Sequence, residues 1–359
     1  MIRTLVQLSF RLLALAACAM SLSAQTTISL IADKDTTLYE DPTGSLANGA
    51  GTGIFIGRVG FNGGGAKRRA LVHFDVAGSV PAGARIVSAT FELFAAQSSA
   101  FLPIQTDAHR VTQDWSEGSV IAPGQGGAGG PSAPGEATWL HTNYPNAFWA
   151  TAGGDFAPTP SFSFGLPGIG QVSTEPLPGL VADVQDWLDN PAGNFGWLLK
   201  TDELQMSTAR RCNSREAAGM QPKLNITYMM PGDVGVYGTG WPVGTGTFDL
   251  TPSGAAVGGT TVTFHYTNAP APSIGASFFA LDLDPIGTLL LPTCACSTFL
   301  PLSNIIPGDA FVVPAGGVAS SQLAIPPASP GFLIVVQAAV IDATPLGFSL
   351  SNAGLMFTL

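Results

Sequence analysis

Residues 67–76 read KRRALVHFDV and residues 85–97 read RIVSATFELFAAQ, and these two stretches decide the fold. In the first stretch, Val72, Phe74 and Val76 alternate with the residues between them, which is the period of a β-strand. A short segment containing Gly and Pro separates the two stretches, as expected of a turn. The pair therefore predicts two strands joined by a turn.

Similar strand signals recur along the whole chain. Strands are predicted at 26–39, 52–60, 103–115, 195–201 and 222–228 in the first half, and at 260–267, 276–283, 320–325, 332–341 and 348–359 in the second. One helix is predicted, because Val181, Val184 and Leu188 recur at helical spacing and Pro191 would end it. Residues 121–136, IAPGQGGAGGPSAPGE, are predicted to form a mobile surface loop. These signals predict an all-β class with two β-sandwich domains, the first jelly-roll-like with one short helix.

The distribution of charge marks a domain boundary. The chain has 359 residues and a formal net charge of −10, and its last basic residue is Lys223. From Pro231 to Leu359 there is no Lys, Arg or Glu. With the N-terminal segment, this change predicts three parts: residues 1–24, a first domain at 25–230 and a charge-poor second domain at 231–359. The acidic balance argues against a nucleic-acid partner, whose binding needs a basic face.

The N-terminal segment has the pattern of an export signal. Two Arg and no acidic residue precede the apolar run from Leu12 to Met20, and small residues follow up to Ala24. This pattern predicts a signal peptide cleaved after Ala24, and a secreted or cell-surface protein. The alternative is a lipoprotein anchored through Cys18, because the sequence LAAC ending there resembles a lipobox. No later stretch has about 20 uninterrupted apolar residues, so no transmembrane span is predicted.

The cysteines are few. Cys212, Cys294 and Cys296 lie downstream of the predicted signal peptide, and an odd number in an exported protein leaves at least one thiol without an intramolecular disulfide. Cys294 and Cys296 are separated by one residue, which is too close for a relaxed disulfide. Small buried residues or one strained bridge are therefore predicted for this pair, rather than a metal site.

A series of short motifs in the first half occurs in a defined order. The motifs are KRRALVHFD (67–75), VPAGARI (80–86), SATFEL (88–93), DWSEG (114–118), ATW (137–139), WATAGGDF (149–156), NFGWLL (194–199), SRE (214–216) and PKLNITY (222–228). Over residues 30–228 this set resembles the DNRLRE-type domains, also classed as carbohydrate-binding module family 96. The resemblance implies a β-sandwich of exported bacterial and archaeal proteins, often attached to enzymes that act on acidic polysaccharides. The name-giving hexapeptide is absent, and NSRE at 213–216 is the nearest segment.

The second half resembles the charge-poor C-terminal domains of secreted proteins from environmental bacteria, notably planctomycetes. The segments that carry this resemblance are LDL (281–283), QAAVID (337–342) and GFSLSN (347–352). The resemblance implies no activity. A structural or anchoring role at the cell surface is therefore the expectation for this part.

An aromatic loop is the first candidate site for extracellular polysaccharide. In the loop at 141–155, Tyr144, Phe148 and Trp149 offer ring faces that could stack on sugar rings. Anchoring of this loop into the core is an equal alternative. The tryptophans beside strand or helix patterns are predicted to pack in the core: Trp115, Trp139, Trp187 and Trp197.

A basic cluster is the second candidate site. It consists of two segments, Lys67–Arg69 and Arg210–Arg215. The candidate carbohydrate-binding residues within them are Arg68, Arg69, Arg211 and Arg215. If the two segments pair as neighbouring strands, their guanidinium groups could bind uronate carboxylates or sulfates. The alternative is a set of structural ion pairs, and the candidate partners are Glu216, Asp75 and Asp202.

Acidic residues of the first half could hold a structural calcium ion. Asp33, Asp35 and Asp155 supply oxygen ligands of the kind that calcium prefers, and Asp33 and Asp155 are the main candidates. Their spacing matches no calcium-loop signature. Apart from this ion, no cofactor is predicted.

Taken with the resemblance, these residues predict an exported, non-catalytic protein that binds polysaccharide, with acidic glycans favoured. One alternative is a structural cell-surface or matrix protein without a glycan ligand. Another is a polysaccharide lyase or hydrolase in which His141, Tyr144 and an Arg act as acid, base and charge neutraliser. Nucleophile-elbow, HExxH and P-loop motifs are all absent from the sequence.

Overall fold

The computed structural model describes residues 25–98, 100–291 and 296–359. The predicted signal peptide with Cys18, the residue Cys294 and the side chain of Cys296 lie outside the described residues. The described chain is all-β and forms two β-sandwiches, as its alternating patterns predicted. Within it, no helix is long and apolar enough to cross a membrane.

The described residues of the first half form fifteen strands and one α-helix. The strands are β1 (Thr26–Ile31), β2 (Lys34–Tyr39), β3 (Leu46–Ala47), β4 (Gly53–Arg58), β5 (Lys67–His73), β6 (Arg85–Ser98), β7 (Ile104–Arg110), β8 (Gly130–Pro131), β9 (His141–Asn143), β10 (Ala147–Phe148), β11 (Phe162–Leu166), β12 (Gly170–Ser173), β13 (Trp197–Lys200), β14 (Arg210–Asn213) and β15 (Lys223–Met229). The helix α1 spans Pro178–Asp189, and short 3-10 helices lie at Phe61–Gly63 and Pro191–Gly193.

Two antiparallel sheets face each other in this half and join at one edge. One sheet contains β1, β15, β6, β14 and β12, and the other contains β2, β5, β13, β7 and β11. Strand β4 joins them, because its first part pairs with β14 and its last two residues pair with β5. The predicted strand at 26–39 is two strands, since Ala32 bonds to Pro222 and Asp33 bonds to His73 of the opposite sheet.

The core between these sheets follows from strand periodicity. In β6, Ala89, Phe91 and Leu93 point inward and are buried, while Thr90 and Glu92 between them face out. The helix predicted around Val181–Leu188 forms and covers this core with Leu180, Val184, Trp187 and Leu188. It starts with a proline at its first position, and it ends before Pro191 as the sequence predicted.

A second, smaller core lies on the outer face of β2, β5 and β13. Leu38, Leu71 and Leu198 pack there against the segment 111–156, which forms a layer of loops over the sheet. The buried tryptophans of this layer are Trp115, Trp139 and Trp149. Trp187 and Trp197 lie in the main core, and Trp115 and Trp139 lie in this second core. All four are buried, which confirms the prediction that they pack internally.

The loop predicted to be mobile is held against the sheet. The Tyr39 hydroxyl donates a 2.7 Å hydrogen bond to the Gly126 carbonyl, and Asn48 accepts a 2.8 Å bond from the Ala122 amide. Residues 130–131 form β8, which pairs with β3. The Gly-rich composition therefore allows close approach of the loop backbone to the sheet, rather than freedom in solvent.

In the second half, the residues that the structure describes form thirteen strands. They are β16 (Val234–Tyr237), β17 (Pro242–Val243), β18 (Gly246–Thr247), β19 (Asp249–Ser253), β20 (Thr261–Thr267), β21 (Ser273–Ala280), β22 (Thr288–Leu291), β23 (Cys296–Thr298), β24 (Ile306–Val313), β25 (Ala319–Ala324), β26 (Leu333–Ile341), β27 (Phe348–Leu350) and β28 (Ala353–Phe357). A six-stranded sheet in the order β16-β28-β26-β21-β24, with β27 beside β26, packs on the three-stranded sheet β19-β20-β25.

The two sandwiches share a third apolar cluster. Val87 of β6 and Met229 of β15 pack with residues of the second half, among them Ala280 and Leu355. Arg85 and Asp282 form an ion pair of 3.6 Å at the edge of this contact. The connection between the sandwiches passes through residues 230–233, where the charge pattern of the sequence changes.

Candidate functional site

The structure places the two basic segments on two strands that β4 separates, β5 of one sheet and β14 of the other. Strand β4 lies between β5 and β14, so the expected direct pairing does not occur. In register, Arg68 is opposite Gly57 and Arg211 is opposite Phe55. Both arginines reach the same loop, because Arg68 donates to the Gly127 carbonyl and Arg211 to the Gln125 carbonyl.

Arg69 and Arg215 are neutralised by carboxylates. Arg69 binds both oxygens of Glu203 at 2.6 and 2.9 Å, and its Nη1 donates to the Gly153 carbonyl at 2.7 Å. Arg215 binds both oxygens of Glu117 at 2.6 and 2.7 Å and Glu216 Oε1 at 2.9 Å. The ion-pair alternative therefore holds for these two arginines, although only Glu216 was named in advance.

The other named acidic partners are engaged elsewhere. Asp75 accepts a hydrogen bond from the Gly78 amide at 2.9 Å, and Asp202 accepts one from the Leu204 amide at 3.1 Å. Each carboxylate thus closes a local turn in its own segment. The arginines of the basic cluster take their counter-charges from more distant parts of the chain.

Arg68 and Arg211 bind carbonyl oxygens instead of carboxylates. Arg68 donates to the carbonyls of Lys67 at 2.8 Å and Gly127 at 3.3 Å, and its guanidinium lies 4.8 Å from the centre of the Tyr39 ring. Burial lowers the pKa of Arg68. Arg211 donates to the Thr52 carbonyl at 3.0 Å and to its hydroxyl at 2.9 Å.

Two further arginines in this region also use carbonyl acceptors. Arg210 is fully buried and donates to the carbonyls of Thr208, Pro167 and Leu102. Arg58 donates to the Gly65 carbonyl at 2.5 Å. Within the described part of the chain, no carboxylate lies within 4 Å of the guanidinium nitrogens of these four arginines: Arg58, Arg68, Arg210 and Arg211.

A surface groove of about 370 Å³ lies among these groups. Its lining residues include Phe55, Gln97, Gln125, Arg210 and Arg211. The Arg211 Nε also donates to the Gln125 carbonyl at 3.3 Å, so the loop 121–136 forms one wall. We refer to this site as the basic groove.

Two phenylalanines beside the basic groove face solvent. Phe61 is 85% exposed and follows Gly60, which lines the groove. Phe101 is 90% exposed and lies three residues after Ser98, another lining residue. Neither ring was predicted from the sequence to be a binding group. The signal that could have identified them is their position in short turns that contain Gly or Ser.

The aromatic loop divides into exposed and buried rings. Phe148 is 56% exposed and Tyr144 is half-buried, and both contact the His141 ring, with centroids 4.3 and 5.0 Å away. Trp149, in contrast, is 5% exposed and donates to the Thr138 carbonyl at 2.9 Å. Trp149 therefore anchors the loop, as the alternative foresaw, and its ring offers no stacking face to a sugar.

The structure brings His141 and Tyr144 together, as the lyase alternative requires. His141 is buried, which lowers its pKa, and its Nδ1 lies 2.8 Å from the Thr138 hydroxyl. A lyase also needs a cation that neutralises charge. Two arginines of the basic cluster, Arg69 and Arg215, are already paired with Glu203 and Glu117. His141 is the first residue of β9, and its ring packs against Tyr144 and Phe148 within the hairpin of β9 and β10.

The predicted calcium ligands Asp33 and Asp155 serve local contacts. Asp33 Oδ1 lies 2.6 Å from His73 Nδ1, and Asp155 accepts the amides of Ala150 and Thr151 at 2.6 and 2.8 Å. Among the described residues, the group of three acids with metal-ligand spacing is elsewhere. Its members are Asp35, Glu117 and Glu216.

Comparison with known proteins assigns no family to the chain. No protein-family model matches the chain, and no curated protein matches it.

Proposed function

We propose that this protein is an exported, non-catalytic binding protein for acidic polysaccharides, and that the basic groove is its binding site. The observation that carries the proposal is the set of four arginines without a carboxylate partner, in a chain whose net charge is −10. Acidic side chains neutralise Arg69 and Arg215 nearby, so the remaining positive charge is concentrated around this groove.

Arg211 is the proposed contact residue. It is half-buried and lines the groove, and the planar guanidinium can bind a carboxylate or sulfate with two parallel bonds. Arg68 and Arg210 donate from all three guanidinium nitrogens to carbonyl oxygens, and Arg58 does not line the groove. These three arginines therefore act through the positive potential that they add. Attraction of this kind weakens with salt, because exposed charges are screened over about 10 Å at 0.1 M ionic strength.

The groove also offers contacts for the uncharged part of a sugar. The exposed rings of Phe61 and Phe101 could stack on the C–H faces of pyranose units on either side of Arg211. The amides of Gln97 and Gln125 could bond to hydroxyl groups. The hairpin with Tyr144 and Phe148 is the second proposed contact surface, for glycans that do not need charge.

The remaining parts of the proposal concern the location and the second sandwich. The pattern of residues 1–24 supports export, with secretion or attachment at the cell surface as the destination. The second sandwich, which lacks Lys, Arg and Glu, is proposed to have a structural or anchoring role. Its shared apolar cluster with the first sandwich supports a fixed arrangement of the two parts.

Affinity electrophoresis against polyuronate, sulfated and neutral polysaccharides tests the proposal. Arg211→Ala is expected to weaken binding to an acidic glycan about 10- to 100-fold, since a hydrogen-bonded charge contributes about 1.5–3 kcal/mol. Lys223→Ala is the matched control: it removes the same charge from β15, which does not line the groove, and should leave affinity within about twofold. Arg211→Lys should recover part of the loss, because it keeps the charge without the planar fork.

Other outcomes would favour the alternatives. Binding to a neutral glycan that ignores salt would transfer the site to the Tyr144 and Phe148 hairpin. Failure to bind any glycan would favour a structural surface protein. Unsaturated or reducing-end products, abolished by His141→Ala with the fold intact, would show the protein to be an enzyme.

A further inference from the structure

Three carboxylates from distant segments meet at one end of the first sandwich. Asp35 belongs to β2, Glu117 to the loop layer and Glu216 to the turn after β14. One oxygen from each lies within 4.8 Å of the others. The backbone holds the group together, because the Asp35 amide donates to Glu117 Oε1 at 2.7 Å and the Arg215 amide donates to Asp35 Oδ2 at 2.7 Å.

Arg215 neutralises only part of this charge. Its side chain bonds to both oxygens of Glu117 and to one oxygen of Glu216. Three carboxylates and one guanidinium leave an excess of two negative charges. Glu136, which is fully buried and whose charge is repelled by Glu117, adds to the excess.

Two oxygens of the cluster are buried without a hydrogen-bond partner. They are Asp35 Oδ1 and Glu216 Oε2, and Asp35 itself is only 1% exposed. A buried carboxylate oxygen without a partner is costly, because it has lost its hydrogen bonds to water and gained none in exchange. Burial also raises the pKa of both Asp35 and Glu216.

We propose that Asp35, Glu117 and Glu216 bind a divalent cation, and that the cation is calcium. Calcium takes six to eight oxygen ligands at about 2.3–2.6 Å, so oxygens on opposite sides of the ion lie up to about 5 Å apart. The spacing of the three ligand atoms agrees with this value. Asp35 Oδ1 and Glu216 Oε2 supply the free ligand atoms, one oxygen of Glu117 is shared with Arg215, and water completes the shell.

Of the three acids expected from sequence to hold calcium, the site contains Asp35, but Glu117 and Glu216 take the places of Asp33 and Asp155. It also has a clear structural role. Asp35 is separated from Glu117 by 82 residues and from Arg215 by 180 residues, so a bound ion would link three distant segments. Because such a ligand binds the folded state and not the unfolded chain, it raises stability by mass action.

Thermal unfolding of the metal-free mature protein, with and without calcium chloride, tests the proposal. In the wild-type protein, calcium at about 100 times its dissociation constant is expected to raise Tm by about 5 °C or more. Asp35→Asn and Glu216→Gln should abolish the shift, and Asp35→Asn without calcium should be at least as stable as the wild type, because it removes a repelling charge. Asp114→Asn is the matched control, since it removes an acid that is 75% exposed and outside the cluster.

Equilibrium dialysis gives a second readout that does not depend on the stability of the variants. One calcium ion per wild-type chain is expected, with magnesium at equal concentration displacing little of it, because magnesium demands nearly ideal octahedral geometry. Absence of bound calcium at 10-fold molar excess over millimolar protein overturns the proposal. A rise in Tm with calcium that is undiminished in both Asp35→Asn and Glu216→Gln also overturns it. In either case a proton would supply the positive charge instead.

Discussion

The substitution Glu203→Gln is expected to destabilise the first sandwich by about 3–5 kcal/mol, because it leaves a buried guanidinium without its counter-charge. Glu203 accepts two hydrogen bonds from Arg69, at 2.6 and 2.9 Å, in a parallel arrangement. The two side chains are only 11% and 8% exposed, so water cannot replace the lost charge. Arg69 also lies 4.8 Å from the centre of the Trp139 ring, which confines it further.

Urea unfolding followed by tryptophan fluorescence measures this cost, since Trp139 lies in contact with Arg69. The matched control is Asp114→Asn, which breaks the exposed 3.4 Å pair with Lys34 and should cost less than about 1 kcal/mol. The double variant Arg69→Leu/Glu203→Leu should be more stable than Glu203→Leu alone, because an apolar pair leaves no unpaired buried charge.

A cost for Glu203→Gln no larger than that of the control would refute the reasoning. Arg69 would then not depend on a buried partner for its charge. It would return to the group of arginines that are free to bind a ligand, and the proposal that Arg211 is the main contact residue would lose its basis.

Two other predictions concern the core and the interface. Burial raises the pKa of the Cys212 thiol to about 12. In a native protein that spans residues 25–359 and carries Cys294→Ser and Cys296→Ser, this thiol should therefore resist alkylation from pH 7 to 9. An exposed thiol with a pKa of about 8.5 would instead react faster as pH rises through this range, and such behaviour would contradict the buried placement. Met229→Ala, at the apolar cluster shared by the sandwiches, should cost about 2–5 kcal/mol and separate their calorimetric transitions. A single transition that only moves to lower temperature would show that the sandwiches do not unfold independently.

Much of the fold could be predicted because strand and helix signals are local. The alternation of β6 and the helical spacing of Val184, Trp187 and Leu188 depend only on near neighbours in the chain. The division of 26–39 into two strands could not be predicted, because it depends on where Pro222 and His73 are placed by other strands. For the same reason, the glycine-rich composition of 121–136 did not reveal that Tyr39 and Asn48 hold this loop.

The candidate site shows the limit of local signals more sharply. The basic segments were visible in the sequence, but their charge state depends on distant acids. Arg69 and Glu203 are separated by 134 residues, and Arg215 and Glu117 by 98 residues. Trp149 and Phe148 are adjacent in sequence, yet one is buried in the loop-layer core and the other faces solvent.

The sequence by itself determined the all-β class, the positions of most strands, the single predicted helix and the charge-poor second half, because these follow from composition and short-range periodicity. The tertiary structure alone decided which charged groups neutralise one another and which do not. Electrostatic interaction depends on distance and burial, and antiparallel pairing brings residues together without regard to their separation in the chain. The isolated charge around Arg211 and the excess of acid around Asp35 are therefore properties of the folded molecule.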